Sequence, residues 1–246
     1  MSADRKFSLL ERAQQTLEKA QSQDATVQTL LSMDKEIEGV EKIIDTASKS
    51  VSLRVKDNLG EELQEMKVQK LSSMLEDEDL RGKYLFKKQP QLKSMAAQIT
   101  EIQPDGQGKT ELNKLVKQVI MNGFLEGAAL TESGNPDIGN LRIPKVLSKK
   151  TTDLLIGLRR VIVEKEAECI GKAIRFVGRM RDPRQLQSFV LDAVNLGWIN
   201  SPLVKTERGN VDFSKVEAPR VANSRVQSSY HGIAMFIQKK GEQLLS

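Results

Sequence analysis

The sequence predicts an all-α protein in which an acidic helical arm precedes a basic multi-helix domain. Apolar residues recur at alternating steps of three and four over long stretches, which is the period of an amphipathic helix. No proline precedes Pro90. Residues 1–80 carry 11 Lys and Arg against 17 Asp and Glu, whereas residues 81–246 carry 27 against 16. We therefore predict an arm over 1–88 and a basic domain over 89–246.

The arm contains a heptad seam, an apolar series at a and d positions that is typical of coiled coils. Its members are Leu30, Met33, Ile37, Val40, Ile44, Ala47 and Val51. An earlier apolar series is shifted by one residue relative to the heptad seam. Residues 24–30 should therefore hold a kink, a local overwinding, or the turn of a helical hairpin. The seam predicts self-association or docking of a partner helix; the alternative is packing within the chain against a helix at 60–80.

That next helix is expected to begin near Gly60, where Asn58 and Glu61 have the spacing of a capping box. The acidic run at 76–79 follows it. Because the macrodipole is negative at a helix C-terminus, we expect this run outside the regular helix.

The basic domain should contain several helices joined by short turns. The turn-rich segment 131–144 is the best loop and a possible sub-boundary. A short β-hairpin near 203–213 is also compatible with the pattern. The expected helices are 90–103, 110–130, 153–180, one that Asp182 and Pro183 begin and Gly197 ends, and 219–240.

A concentration of cations stands out near the end of the long helix. Lys172, Arg175 and Arg179 have the spacing i, i+3, i+7 and form one stripe, opposite an apolar face to which we assign Phe176. Arg181 and Arg184 follow. Arginine forks match phosphate oxygens, so such a stripe can follow a nucleic-acid backbone without reading sequence. The alternative is an ordinary solvated face whose charges pair with Glu164, Glu166 and Glu168.

Other cations can extend this surface if they fold onto the same side. They are Arg159, Arg160, Lys149, Lys150, Arg220 and Arg225.

Three other patterns resemble functional motifs but fit them poorly. Residues 106–110, Gly-Gln-Gly-Lys-Thr, resemble the end of a phosphate-binding loop, but the first glycine of that motif would be residue 103, which is Gln. A winged helix-turn-helix would need a shorter helix before 183–196. Few aromatic residues look exposed, which argues against a base-stacking platform; Tyr84, Phe86 and Trp198 remain as candidates and are expected in the core.

The composition excludes several classes of chemistry. One cysteine, Cys169, and one histidine, His231, cannot supply an intramolecular disulfide or a four-ligand zinc site. We identify no catalytic residues, metal site or cofactor. The first residues lack an apolar core typical of a secretory signal, and no stretch is long enough for a bilayer span. We expect a cytoplasmic or other reducing compartment.

Together these features predict a non-enzymatic, self-associating helical protein that binds nucleic acid through the phosphate backbone. Nucleocapsid proteins and polymerase cofactors work in this way, and RNA is favoured over DNA. The alternative is a cytosolic helical scaffold or adaptor that binds protein partners through the heptad seam and does not bind nucleic acid.

Overall fold

The computed structural model describes residues 26–46, 53–127, 134–146, 148–200 and 211–246. Within them the protein is helical and contains no sheet, so the all-α prediction is confirmed. The described residues also include two 3-10 turns, at Ile138–Asn140 and Phe213–Lys215, and an antiparallel bridge between Glu126 and Arg142. The helices are α1 (Val27–Thr46), α2 (Leu53–Glu76), α3 (Glu78–Lys87), α4 (Gln89–Glu101), α5 (Gly106–Met121), α6 (Lys149–Arg179), α7 (Pro183–Asn195) and α8 (Ser224–Leu245).

The chain divides into two compact units. The first contains the described residues up to Gln89, together with 121–123 and the described part of 145–152. The second contains Pro90–Ile120 and the described parts of 124–144 and 153–246.

In the first unit, α1 packs its apolar face against α2. Leu30, Met33, Ile37 and Val40 are all buried, and Ile37 and Val40 lie in one cluster with Leu63 and Met66. Their spacing places them on one face of the helix, which the chain itself covers.

A buried carboxylate lies on that same face of α1. Asp34 Oδ1 accepts a hydrogen bond from Lys70 Nζ at 2.8 Å, and its Oδ2 accepts one from the Tyr84 hydroxyl at 2.9 Å. Lys88 Nζ lies 2.5 Å from Oδ2. Burial alone would raise the pKa of Asp34, but the two ammonium groups outweigh it and hold the pKa below its usual value. Burial also lowers the pKa of Lys70.

The second unit has a comparable buried centre. Lys109 of α5 lies 2.6 Å from Glu166 Oε2 of α6, and the two side chains are 1% and 0% exposed. The other oxygen, Oε1, accepts hydrogen bonds from Trp198 Nε1 at 3.1 Å and from the Tyr230 hydroxyl at 2.9 Å. A buried charge is tolerated only when it is paired and hydrogen-bonded, and here the carboxylate meets three donors.

Several helix ends agree with the sequence analysis. The acidic run lies outside α2 except for Glu76, and Asp77 caps α3 by accepting from the backbone N–H groups of Asp79 and Leu80. Asp182 caps α7 through the Arg184 N–H, with Pro183 as the first helical residue. Gly197 follows α7 with φ +79°, a conformation that glycine adopts without steric cost.

Other boundaries were wrong. Helix α2 begins at Leu53 and continues through Gly60, so Asn58 and Glu61 do not mark its start. Helix α5 ends at Met121, before Gly123 at φ +68°. The last helix begins after the Asn223 cap, five residues later than expected.

For the predicted hairpin, residues 203–210 lie outside the described residues; Val211 is in a β-bridge, and Phe213 begins a 3-10 turn.

We predict that Lys109→Met destabilises the second unit by about 3–5 kcal/mol, because it leaves Glu166 charged and unpaired in the core. The measurement is urea unfolding followed by the fluorescence of Trp198, the single tryptophan, which contacts Glu166. The double variant Lys109→Met/Glu166→Gln should recover part of the loss, since it removes the uncompensated charge and keeps an acceptor. Equal stability of Lys109→Met and the unsubstituted protein would contradict the prediction.

A second prediction concerns the stability of the fold at low pH. Because the folded pKa of Asp34 is lowered, its ionisation stabilises the fold above the unfolded pKa, and this contribution is lost as the pH falls through the folded pKa. Asp34→Asn should therefore be less stable than the unsubstituted protein at neutral pH, with a difference that shrinks towards about pH 3. Urea unfolding followed by circular dichroism measures this.

The matched control for this experiment is Asp79→Asn, whose exposed ion pair with Lys83 should contribute less than about 1 kcal/mol. A constant difference between Asp34→Asn and the unsubstituted protein across the pH range would show that Asp34 does not titrate as inferred.

Candidate nucleic-acid interface

The five cations that the sequence brings together occupy the end of α6 and the start of α7. Lys172, Arg175 and Arg179 lie on the last two turns of α6, Arg181 lies between the helices, and Arg184 lies in the first turn of α7. All five side chains are exposed. We call them the basic surface.

Helical geometry places the α6 members of the basic surface on one side. At about 100° per residue, Arg175 and Arg179 are about 40° apart, and Lys172 lies on the same side. Ile170 and Val177 are buried on the other side of the helix. The cations therefore project away from the core of the second unit.

The nearby glutamates do not neutralise this surface. Glu164 pairs with Arg225 of α8 at 3.7 Å, Glu166 with Lys109 at 2.6 Å, and Glu168 with Lys165 at 2.8 Å. No member of the basic surface has a carboxylate within ion-pair distance among the described residues. These five positive charges therefore have no carboxylate partner in the part of the chain that the structure describes.

Helix stability does not account for all of these cations. Arg179 in the last turn of α6 interacts favourably with the negative end of that helix macrodipole. Arg184 is placed in the first turn of α7, where the macrodipole is positive and a cation is unfavourable. Its position therefore favours a role outside folding.

An aromatic ring that the sequence analysis assigned to the core borders the basic surface. Phe176 is 60% exposed, so that assignment was wrong. Its ring contacts Phe189 of α7, with centroids 6.2 Å apart and planes at 53°. Ile170 and Val177 occupy the buried side of this part of α6, and Phe176 lies at the edge of that apolar face.

A second ring lies on the opposite flank of the same turns. The Phe236 ring of α8 is 36% exposed and lies next to Gly178. Lys240 Nζ donates a hydrogen bond to the Gly178 carbonyl at 3.3 Å. Arg175 and Arg179 thus lie between two partly exposed phenylalanines.

The additional cations differ in exposure and pairing. Arg160 is exposed and Arg159 is half-buried, and both precede Lys172 by more than three helical turns. Arg220 is exposed, and Arg225 is engaged by Glu164. Lys149 and Lys150 belong to the first unit.

The phosphate-loop resemblance has a structural explanation. Lys109 points into the core and pairs with Glu166, so its ammonium group is not exposed to a nucleotide. Gly108 is required by packing, because a Cβ there would lie 1.7 Å from the Gln103 carbonyl oxygen. Asp105 accepts from the Gly108 N–H and starts the helix, while the Thr110 hydroxyl bonds back to the Gly106 carbonyl.

The remaining aromatic candidates differ in burial. Tyr84 and Trp198 are buried, as expected. Phe86 is 52% exposed, so its assignment to the core was wrong.

The reactive side chains offer no catalytic arrangement. Cys169 is buried, and burial together with Glu166 raises the pKa of its thiol to about 12, which disfavours the nucleophilic thiolate. His231 is exposed on α8. Among the described residues, no group of three or more His, Cys, Asp or Glu side chains is arranged to hold a metal. None of the described helices combines the length and apolarity needed to cross a membrane.

The heptad seam lies inside the first unit over its first four positions, Leu30 to Val40. The side chain of Ile44 and residues Ala47 and Val51 lie outside what the structure describes. Packing against α2 within the chain therefore accounts for the part of the seam that is described.

Comparison with known proteins adds no further information, because no family model, curated protein or solved structure matches this chain.

Proposed function

We propose that the protein is a non-enzymatic nucleic-acid-binding protein that holds RNA or DNA through the phosphate backbone, with the basic surface as its contact. The observation that carries this proposal is the pairing of Glu164, Glu166 and Glu168 with other cations, which leaves the basic surface without carboxylate partners among the described residues. Guanidinium groups bind phosphate oxygens through paired hydrogen bonds, as they bind carboxylates.

The expected mechanism is counterion release. Each cation that neutralises a phosphate releases a condensed counterion, so affinity falls steeply as salt rises and depends little on base sequence. The excess of 27 cations over 16 carboxylates in residues 81–246 adds a long-range attraction to the polyanion.

A scaffold function through the heptad seam has less support. Leu30, Met33, Ile37 and Val40 are buried, so a protein partner could use them only after α1 separates from α2.

The first test replaces Arg175, Arg179 and Arg184 together by Glu. We expect affinity for a mixed-sequence RNA of about 30 nucleotides to fall at least about 100-fold, because three phosphate contacts become repulsive. The slope of log affinity against log salt should decrease by about 2. Fluorescence anisotropy measures both, and circular dichroism verifies that the helices remain.

The matched control is Lys93→Glu/Lys114→Glu/Lys117→Glu, three exposed lysines of α4 and α5 in the same unit. It makes the same change of net charge, from +5 to −1, at another place. Equal losses in the two variants would mean that overall charge, and not the basic surface, determines binding.

Self-association is a separate proposal. Several copies held together would each contribute contacts to one polynucleotide and strengthen binding by multivalency. Light scattering coupled to size exclusion, at low and physiological salt, with and without the same RNA, measures the mass. A mass of 27.5 kDa at every protein concentration without RNA would contradict self-association.

A further inference from the structure

We propose that the polynucleotide bound at the basic surface is single-stranded, and that one of its bases stacks on Phe176 beside the arginines. This inference rests on the proposed function and adds the substrate class. Its basis is the position of an exposed aromatic ring within a group of unneutralised cations.

The Phe176 ring is both accessible and held in place. It is 60% exposed, and it packs against Phe189 with centroids 6.2 Å apart. Aromatic side chains normally stabilise a fold by being buried, and the largely exposed Phe176 contributes little stability in this way. A ring fixed on one side and open on the other loses little conformational entropy when a base stacks on it.

The cations lie where the phosphates of a stacked nucleotide would need them. Lys172 precedes Phe176 by four residues and Arg179 follows it by three, so both are its direct neighbours on the surface of α6. A ring next to cations is the combination used by single-strand binding proteins, in which bases stack and the backbone follows a positive groove. Phe236, across Arg175 and Arg179, offers a second ring to the same strand.

The other strongly exposed phenylalanine lacks this setting. Phe86 is 52% exposed on α3, but Lys83 is paired with Asp79 at 2.5 Å and Lys88 with Asp34 at 2.5 Å. Two of its neighbouring cations are therefore neutralised, while Lys87 is exposed and has no carboxylate within ion-pair distance among the described residues. Phe86 resembles Phe176 in exposure and differs in charge, which makes it a matched control.

A duplex cannot use the ring in this way. Its bases are already stacked and paired, and bringing one out costs a few kcal/mol. Phosphate contacts alone would bind single and double strands through the same cations. A preference for the single strand that depends on Phe176 is consequently the signature of stacking.

The experiment compares a labelled RNA of about 30 nucleotides without self-complementarity with the same strand annealed to its complement, by fluorescence anisotropy. We expect Phe176→Ala to weaken single-strand binding about tenfold and to change duplex binding less than about twofold. Phe176→Tyr, which keeps a ring, should bind the single strand as the unsubstituted protein does. Phe86→Ala should leave both affinities unchanged. Because both rings are exposed, circular dichroism should be the same for all variants.

The outcomes separate this inference from the proposed function. If Phe176→Ala weakens both substrates equally, or neither, stacking is wrong while phosphate binding through the basic surface stands. If the unsubstituted protein binds neither substrate, both proposals fail. If polyglutamate displaces the single strand as effectively as unlabelled RNA at equal charge, the surface recognises an acidic chain without bases, and the inference is overturned.

Discussion

The buried ion pair between Lys109 and Glu166 is the interaction on which the second unit depends. The Glu166 carboxylate receives donors from α5, from the segment after α7, and from α8. Each of these elements is thereby fixed to the middle of α6. Removing a carboxylate from water is costly, and only a complete set of donors offsets that cost. The fold therefore requires all of these elements to be in place together.

Helix α6 has a buried inner side and a positively charged outer side. Its inner side holds Glu166 and apolar residues, and its outer side holds Lys172, Arg175 and Arg179. Because the inner contacts fix the position and rotation of α6, the backbone positions of the outer cations and of Phe176 are fixed relative to one another. Preorganisation of this kind lowers the entropy cost of binding.

Local patterns in the sequence identify most helices, since apolar spacing and caps act over a few residues. Asp77, Asp182 and Gly197 could be assigned in this way, because a cap depends on its immediate neighbours. The basic surface was also apparent, because its five cations lie within 13 residues.

Features that depend on distant residues could not be predicted. Lys109 and Glu166 are 57 positions apart, and Asp34 and Lys70 are 36 apart, so no local pattern links either pair. A buried lysine looks like a surface lysine until its partner is known. Phe176 was misassigned because helical period alone does not give the width of the buried face, which α7 and α8 determine. The pairing of the nearby glutamates likewise depends on α5 and α8.

The closed set of donors around Glu166 also constrains how this sequence can diverge. A change at position 109 or 166 alone leaves a charge in the core, so the two positions should be replaced together in related proteins, with residues 198 and 230 changing alongside them. The outer face of α6 has no such coupling. Correlated replacement at positions 109 and 166 would therefore be a mark of distant relatives, even where their surface residues are no longer similar to those of this chain.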